Sequence, residues 1–298
     1  MLTRPSSADQ PDEQPASGER IAVVARTREE LREALATAPR PIGLVPTMGW
    51  LHAGHRALIA RARAENATTV VSIFVNPRQF GDPKDLDQYP RNEQRDVAIC
   101  AEEGAHVVFV PHVEEVYPPG SDTTVRVGAV ALPLEGAARP GHFDGVATVV
   151  AILFNLVGAD RAYFGQKDAQ QLLVIRRMAR DLAIPIEVIA HPTVRDPDGL
   201  AMSSRNVHLS REERAAAPVL RRALLAAREA WQNGERNGDI LRDRMLAQLA
   251  EEPLADVDYV SVADVRTLQE LATIEEPALL SLAVRFGNTR LIDNELLE

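Results

Sequence analysis

The sequence predicts a doubly wound α/β domain built on a parallel sheet, followed by a smaller α+β domain placed like a lid. Three observations predict this. From Arg20 to about residue 190 short apolar runs alternate with helical patterns, the spacing of parallel strands joined by crossover helices. From residue 210 onward helices come first and strands after, the order of an α+β unit. Two apolar runs, within 42–58 and 161–182, pass through a glycine-bearing turn straight into a helix, an arrangement that open α/β sheets use to receive ligands. The expected division is a disordered tail at 1–19, the main domain at 20–192 and the lid at 193–298.

Each element has its own justification. Residues 1–19 are rich in Pro, Ser, Gln and Asp and are expected to be disordered. IAVVA (21–25) reads as a strand, and TREELREALA as a helix with Thr27 as N-cap and Glu30 completing a capping box. Ile42, Leu44 and Val45 suit a buried strand that Pro46 is expected to end. A helix follows at 55–65, then TTVVSIFV (68–75) as the next strand. Arg91 to Glu103 reads as a helix and His106 to Val110 as a strand, while 111–143 reads as irregular. Residues 144–157 form a nearly all-apolar helix, expected to be buried, with a partner subunit as one candidate cover. Arg161 to Phe164 is a strand, Gly165 a turn, and Asp168 onward a helix. IPIEVIA (184–190) closes the main domain and 191–206 reads as a hinge. Helices are expected at 210–232 and 238–250, and strands at 256–264, 278–286 and 289–295.

Composition narrows the function. With 298 residues, 45% of them hydrophobic, the chain can bury a real core. A net charge of −10 argues against a nucleic-acid footprint, which needs a basic face. Cys100 is the only cysteine, so no internal disulfide forms and a reducing compartment fits. No apolar run reaches membrane-spanning length, and the N-terminus lacks the apolar stretch of a signal peptide, so a cytoplasmic protein without a membrane partner is expected.

The chemistry gathers at a few stretches. In IGLVPTMGWLHAGHRAL (42–58), His52 and His55 fall on the first turn of a helix, where unpaired N–H groups and the helix dipole favour a phosphate. Gly49 and Gly54 lack a Cβ and would allow close approach of the backbone. A metal pair or an incidental cap are the rival readings; no cysteine or third ligand lies nearby. Asn76 and Gln79 leave the end of a strand, and their neutral amides suit a substrate bearing hydroxyls and a carboxylate. Arg139, in the irregular stretch, is a candidate for meeting an anion, and Asp96 a candidate for the Mg²⁺ shell of a triphosphate. The second glycine turn offers Gly165, Lys167 as a flexible point charge, and Asp168 as a helix cap or ribose acceptor. Gln171 lies one turn further on. Met202, Ser203, Ser204 and Arg205 put two hydroxyls and a guanidinium in sequence, a set suited to clamping phosphates.

Five stretches, PTMGWLHAGH, FVNPRQFG, YPRNEQRD, YFGQKDAQQL and TVRDPDGLAMSSRN, resemble the pantothenate synthetase (pantoate–β-alanine ligase) family of the adenylyl-transferring HxGH Rossmann superfamily. The similarity runs from about Gly43 to Asn206. It implies a Rossmann-like domain with a C-terminal lid, usually a cytoplasmic homodimer. The implied reaction joins pantoate to β-alanine at the expense of ATP, with Mg²⁺, through a pantoyl-adenylate. Carried over by residue, Met48, Gly49, His52, Gly54 and His55 would hold ATP, joined by Gly165, Gln166, Lys167, Asp168, Val194 and Met202 through Arg205. Gln79 and Gln171 would bind pantoate. The groups expected to act on the reacting atoms are His52, His55, Lys167, Ser203, Ser204 and Arg205. Three positions depart from the pattern. Trp50 is unusually bulky, Gln166 stands where Glu is also familiar, and Arg95 precedes Asp96 at a helix position open to an acidic residue. Rivals to this reading are another adenylyl- or cytidylyl-transferase and a nucleotide-binding regulator without catalysis.

Overall fold

A computed structural model describes residues 22–298 except residue 82, so the tail expected at 1–19 lies outside the described residues. Six parallel strands form the first sheet: β1 (Val23–Ala25), β2 (Ile42–Thr47), β3 (Thr68–Ile73), β4 (Val107–Phe109), β5 (Arg161–Gly165) and β6 (Glu187–His191). Their order is β1-β4-β3-β2-β5-β6. Among them run α1 (Arg28–Leu35), α2 (Ala53–Glu65), α3 (Pro83–Gln88), α4 (Glu93–Glu102), α5 (Val113–Val116), α6 (Glu135–Ala138), α7 (His142–Val157) and α8 (Ala169–Asp181). Alternation along the strands sends successive side chains to opposite faces. Leu44 joins the layer under α1, α7 and α8, whereas Val45 joins the layer under α2 and α4. The sheet is therefore covered on both sides.

Local signals explain most boundaries. Thr27 and Glu30 form the expected capping box at the start of α1. Pro46, by contrast, does not end its strand: β2 continues to Thr47. Thr47 O accepts from Phe74 N on the β3 side, and Ile42 O accepts from Asp160 N on the β5 side. Backbone groups alternate in direction, so Pro46 faces β5. The β2–β5 pairing covers only Gly43↔Arg161 and Leu44↔Ala162, so the missing N–H of Pro46 breaks no ladder bond. The apolar helix α7 is buried as expected, but by its own chain. Val146, Val149, Val150, Leu153 and Phe154 pack into the same cluster as Leu31, Leu44 and Leu172. Its character alone therefore calls for no partner subunit. The stretch 111–143 is not wholly irregular, since it contains α5 and α6.

The C-terminal part holds α9 (Arg211–Ala216), α10 (Val219–Gln232), α11 (Gly238–Ala250) and an antiparallel sheet of β7 (Asp256–Asp264), β8 (Ala278–Phe286) and β9 (Thr289–Leu297). The single helix expected at 210–232 is two, because Pro218 lacks the N–H needed to continue α9 and instead opens α10. Leu220, Leu224, Leu241 and Met245 pack onto Leu280, Leu282 and Val284 of the central strand to form a separate core. Among the described residues, no helix is long and apolar enough to cross a membrane.

Candidate active site

Sheet order decides where a ligand can enter. From β2 the sheet grows through β3 and β4 on one side and through β5 and β6 on the other, so the winding direction switches between β2 and β5. Because β5 leaves β2 after Leu44, the carboxyl ends of these strands splay apart. The histidine turn leaves one end and the Lys167 turn the other. Both line a pocket of about 230 Å³. It shares Phe80, Tyr89, Arg139, His142, Lys167, Asp168, Gln171, Ser204 and Arg205 with a wider cleft of about 690 Å³ that reaches β9 of the C-terminal part.

The histidine turn is built from the backbone outward. Gly49 takes φ +81°, a conformation that favours glycine, and the chain then enters α2 with His52 as N-cap. His52 Nδ1 accepts from Gly54 N at 3.1 Å, and His55 Nδ1 accepts from His52 N at 3.3 Å. Burial lowers the pKa of His52 to about 4, assisted by Lys167, and that of His55 to about 3, assisted by His52. Both rings are thus neutral near pH 7. With Nδ1 accepting, the proton of each sits on Nε2, leaving Nε2–H as the free donor. Gly54 has a specific reason to lack a side chain: a Cβ there would lie 2.9 Å from the His52 ring.

Asp96, the candidate for the Mg²⁺ shell, supports the histidine turn. It is 1% exposed and does not line the pocket. Its oxygens accept from Trp50 N at 2.7 Å and Leu51 N at 2.9 Å, and Arg95 pairs with it at 3.2 Å. Arg95 also donates to Leu51 O and lies over the Trp50 ring. The turn is thereby held from below, with Arg95 lying over the bulky Trp50 ring.

Asn76 likewise changes role. Its Oδ1 accepts from Tyr117 Oη at 2.8 Å and from Arg78 N, while Nδ2 donates to Gln79 Oε1 and Gly145 O, each at 3.1 Å. With its hydrogen bonds taken up inside the protein, Asn76 orients Gln79 and turns the Gln79 Nε2 donor toward Met48 and the pocket. His142, burial-depressed to a pKa of about 4, donates from Nδ1 to Gln79 O at 2.9 Å, since a carbonyl only accepts. Its Nε2 therefore accepts from Arg139 Nη1 at 3.1 Å, which aims Arg139 at the cleft.

At the second turn a short 3-10 segment, Gln166–Asp168, precedes α8. Asp168 occupies the N-cap position, but its side chain makes no capping bond. Burial alone would raise its pKa. Lys167, whose Nζ lies 3.5 Å from Oδ1, and Arg205 outweigh this and lower it, so Asp168 is anionic and available. Arg139, by contrast, falls to about 10 because burial and the Arg205 charge disfavour another cation. The walls of the smaller pocket thus concentrate Lys167, Arg139 and Arg205 around Asp168, the one carboxylate among its lining residues, a field that favours a polyanion.

Of the residues singled out in the sequence, Met48, His52, Gly54, His55, Asn76, Gln79, Arg139, Gly165, Lys167, Asp168, Gln171, Val194 and Met202 through Arg205 all line the pocket. Gly49 lies beneath the turn, Asp96 behind it, and Gln166 faces an outer groove beside Leu173 and Arg176. The sequence reading left out Tyr89, which lines both cavities, and the interdomain contacts of Glu135 and Asn294. Tyr89 opens the YPRNEQRD stretch but is not singled out within it, and no local pattern marks Glu135 or Asn294.

Residues 21–296 match the family model described as pantoate-beta-alanine ligase. The chain belongs to the pantoate–β-alanine ligase family. A pantothenate synthetase from Roseiflexus castenholzii is 60% identical over 275 residues, covering 92% of this chain and 99% of that protein. Among solved structures, the pantothenate synthetase from Thermus thermophilus superposes with a TM-score of 0.88 at 50% identity, covering 92% of this chain and 98% of that one. A pantoate-beta-alanine ligase from Francisella tularensis, complexed with beta-gamma ATP and beta-alanine, gives a TM-score of 0.76 at 33% identity, covering 92% and 97%. Like these ligases, the chain carries its parallel sheet first and its antiparallel sheet last.

Proposed function

We propose that the protein condenses pantoate with β-alanine, using ATP and releasing AMP and pyrophosphate. The observation that carries this is the pocket shared by the histidine turn, the Lys167 turn and the two amides of Gln79 and Gln171. A triphosphate fits the donor set: two neutral Nε2–H groups, the N-terminus of α2, Lys167, and Ser203 through Arg205. Asp168 is the acceptor suited to ribose hydroxyls. Gln79 and Gln171 suit the hydroxyls and carboxylate of pantoate, and Arg139 an anion at the cleft side.

In the first step a carboxylate oxygen of pantoate attacks the α-phosphorus of ATP, and the bond to pyrophosphate breaks. The attacking carboxylate is already ionised near neutral pH, so no general base is needed. Alignment and charge neutralisation are. In the second step the β-alanine amine attacks the acyl carbon of pantoyl-adenylate, AMP leaves, and the amine loses a proton. The acyl-adenylate reacts readily with water, and the C-terminal part, reading 193–298 as a lid over 20–192, would shield it. The family's Mg²⁺ finds no ready protein site here: Asp96 is committed to the backbone, and no group of three or more His, Cys, Asp or Glu side chains gathers among the described residues. Mg²⁺ would therefore enter on the phosphates, where it would neutralise their charge. A cytoplasmic homodimer completes the proposal.

The decisive experiment measures AMP release with pantoate, β-alanine and ATP omitted in turn. AMP should form only in the complete mixture, while pantoate alone should support ATP–pyrophosphate exchange. Exchange driven by an amino acid in place of pantoate would overturn the substrate assignment.

A further inference from the structure

We infer that Asn294, on the last strand of the C-terminal part, is a positioning residue for Lys167. The inference rests on the reading of Lys167 as a triphosphate ligand. Asn294 Nδ2 donates to the backbone oxygens of Gln166 at 3.0 Å and Lys167 at 2.8 Å, spanning more than a hundred residues of sequence. The side chain is 5% exposed, so these bonds form out of competition with solvent.

The turn it grips is anchored at its start by the β5–β6 ladder, where Gly165 pairs with His191, but it lacks a side-chain cap where α8 begins. Neither Gly165 nor Asp168 supplies a side-chain cap to the 3-10 segment or to α8. The direction in which Lys167 leaves the backbone is therefore set in part from across the cleft. A carboxamide is the suitable group, because its two N–H bonds can serve two carbonyl oxygens at once. A carboxylate of the same shape would place negative charge against both.

The backbone of Asn294 is fixed in the antiparallel sheet. It pairs with Ser281 of the central strand β8, and its own N donates to Asp293 Oδ1 at 2.8 Å. Asp293, 3% exposed, accepts both Arg195 Nη1 at 2.6 Å and Nη2 at 2.9 Å. Arg195 also donates to Gly199 O and bridges to Ala201, just before Met202 through Arg205. Two adjacent residues of β9 thus tie together the Lys167 turn and the serine–arginine segment. The C-terminal part is more than a cover: it sets the spacing of the groups that grip the phosphates.

The test is a double-mutant cycle in the full chain, read by pantoate-dependent ATP–pyrophosphate exchange. Asn294→Ala should lower kcat for exchange on the order of tenfold, as expected for losing two hydrogen bonds that place a charged group. The KM for pantoate should change little. In a Lys167→Ala background the same substitution should cost nothing further, because its effect passes through the lysine. Asn294→Asp, which keeps the shape and reverses the donor, should lose at least as much as Asn294→Ala. If the Ala variant lacks the wild-type circular dichroism spectrum, the Asp variant and its pairing with Lys167→Ala decide in the same way. An equal loss with and without Lys167, or wild-type exchange in the folded variant, overturns the inference and leaves the proposed reaction standing. Absence of pantoate-dependent exchange in the wild type overturns both.

Discussion

Each imidazole of the histidine turn has one nitrogen committed to the backbone, and that commitment sets what the other can do. His55 contributes a neutral N–H donor, fixed in direction by the helix it helps to cap. Its replacement by Ala should lower kcat by about 10²–10³, the usual cost of removing one preorganised donor to developing charge. Steady-state turnover in purified His55→Ala checks this, and near-wild-type turnover would remove the residue from the mechanism. Asp96 leads to the opposite expectation. Asp96→Ala orphans the Trp50 and Leu51 N–H groups, which should cost about 1–3 kcal/mol for each donor left buried. Denaturant unfolding should show that loss. The Mg²⁺ concentration needed for half-maximal activity should not shift; a tenfold rise would restore Asp96 to the metal.

At the scale of elements, glycines show where packing and function separate. Gly145 on α7 lies against the Asn76–Gln79 segment, and a Cβ there would come within 2.2 Å of Arg78 O. Gly145→Ala should therefore destabilise the fold by about 1–3 kcal/mol, as overpacking against backbone does, and should weaken pantoate binding through Gln79. Gly54→Ala should differ. Alanine favours a helix by up to about 1 kcal/mol, yet its Cβ displaces the His52 ring. Activity should fall while the thermal midpoint holds or rises, and paired melting and turnover measurements distinguish the two cases.

The same elements show what the sequence could convey. Strand and helix periodicity marked nearly every element of the parallel sheet, and the capping box at Thr27 was visible as a local pattern. Pro46 misled because its tolerance depends on where β5 diverges, a tertiary fact. The apolar α7 suggested a partner because a sequence does not reveal how many of its own elements wrap a helix. Pocket residues on the two glycine turns were legible because the turns are contiguous motifs. Asn294 was not, because it sits on a strand like any other and meets Lys167 only after both parts have folded.

For the whole molecule, burial of three histidines in neutral form makes stability depend on pH. Their folded pKa values, about 4 for His52, about 3 for His55 and about 4 for His142, lie below the unfolded value near 6.5. Above that value neither state is protonated and nothing is lost. As pH falls from about 6.5 toward 4 the unfolded chain takes up protons that the native one refuses, so stability falls. Calorimetry on the ligand-free protein should show a lower thermal midpoint at pH 5 than at pH 7. A flat profile would mean that the rings are charged in the native state. Across the cleft, Arg290 of β9 pairs with Glu135 Oε2 at 2.7 Å, and Tyr259 donates to Glu135 Oε1 at 3.0 Å. This contact and that of Asn294 link the two parts of the chain across the cleft.

The early parting of β2 and β5 has one more consequence. A sheet that unzips after two rungs is left with a gap in its middle, and a guest seated there spans both flanks like a missing rung. Nucleotide occupancy should therefore brace the scaffold itself, raising the melting temperature with ligand concentration. At a hundredfold excess over Kd the gain would be about 2.7 kcal/mol. A melting curve indifferent to added nucleotide would show that the folded chain does not bind it.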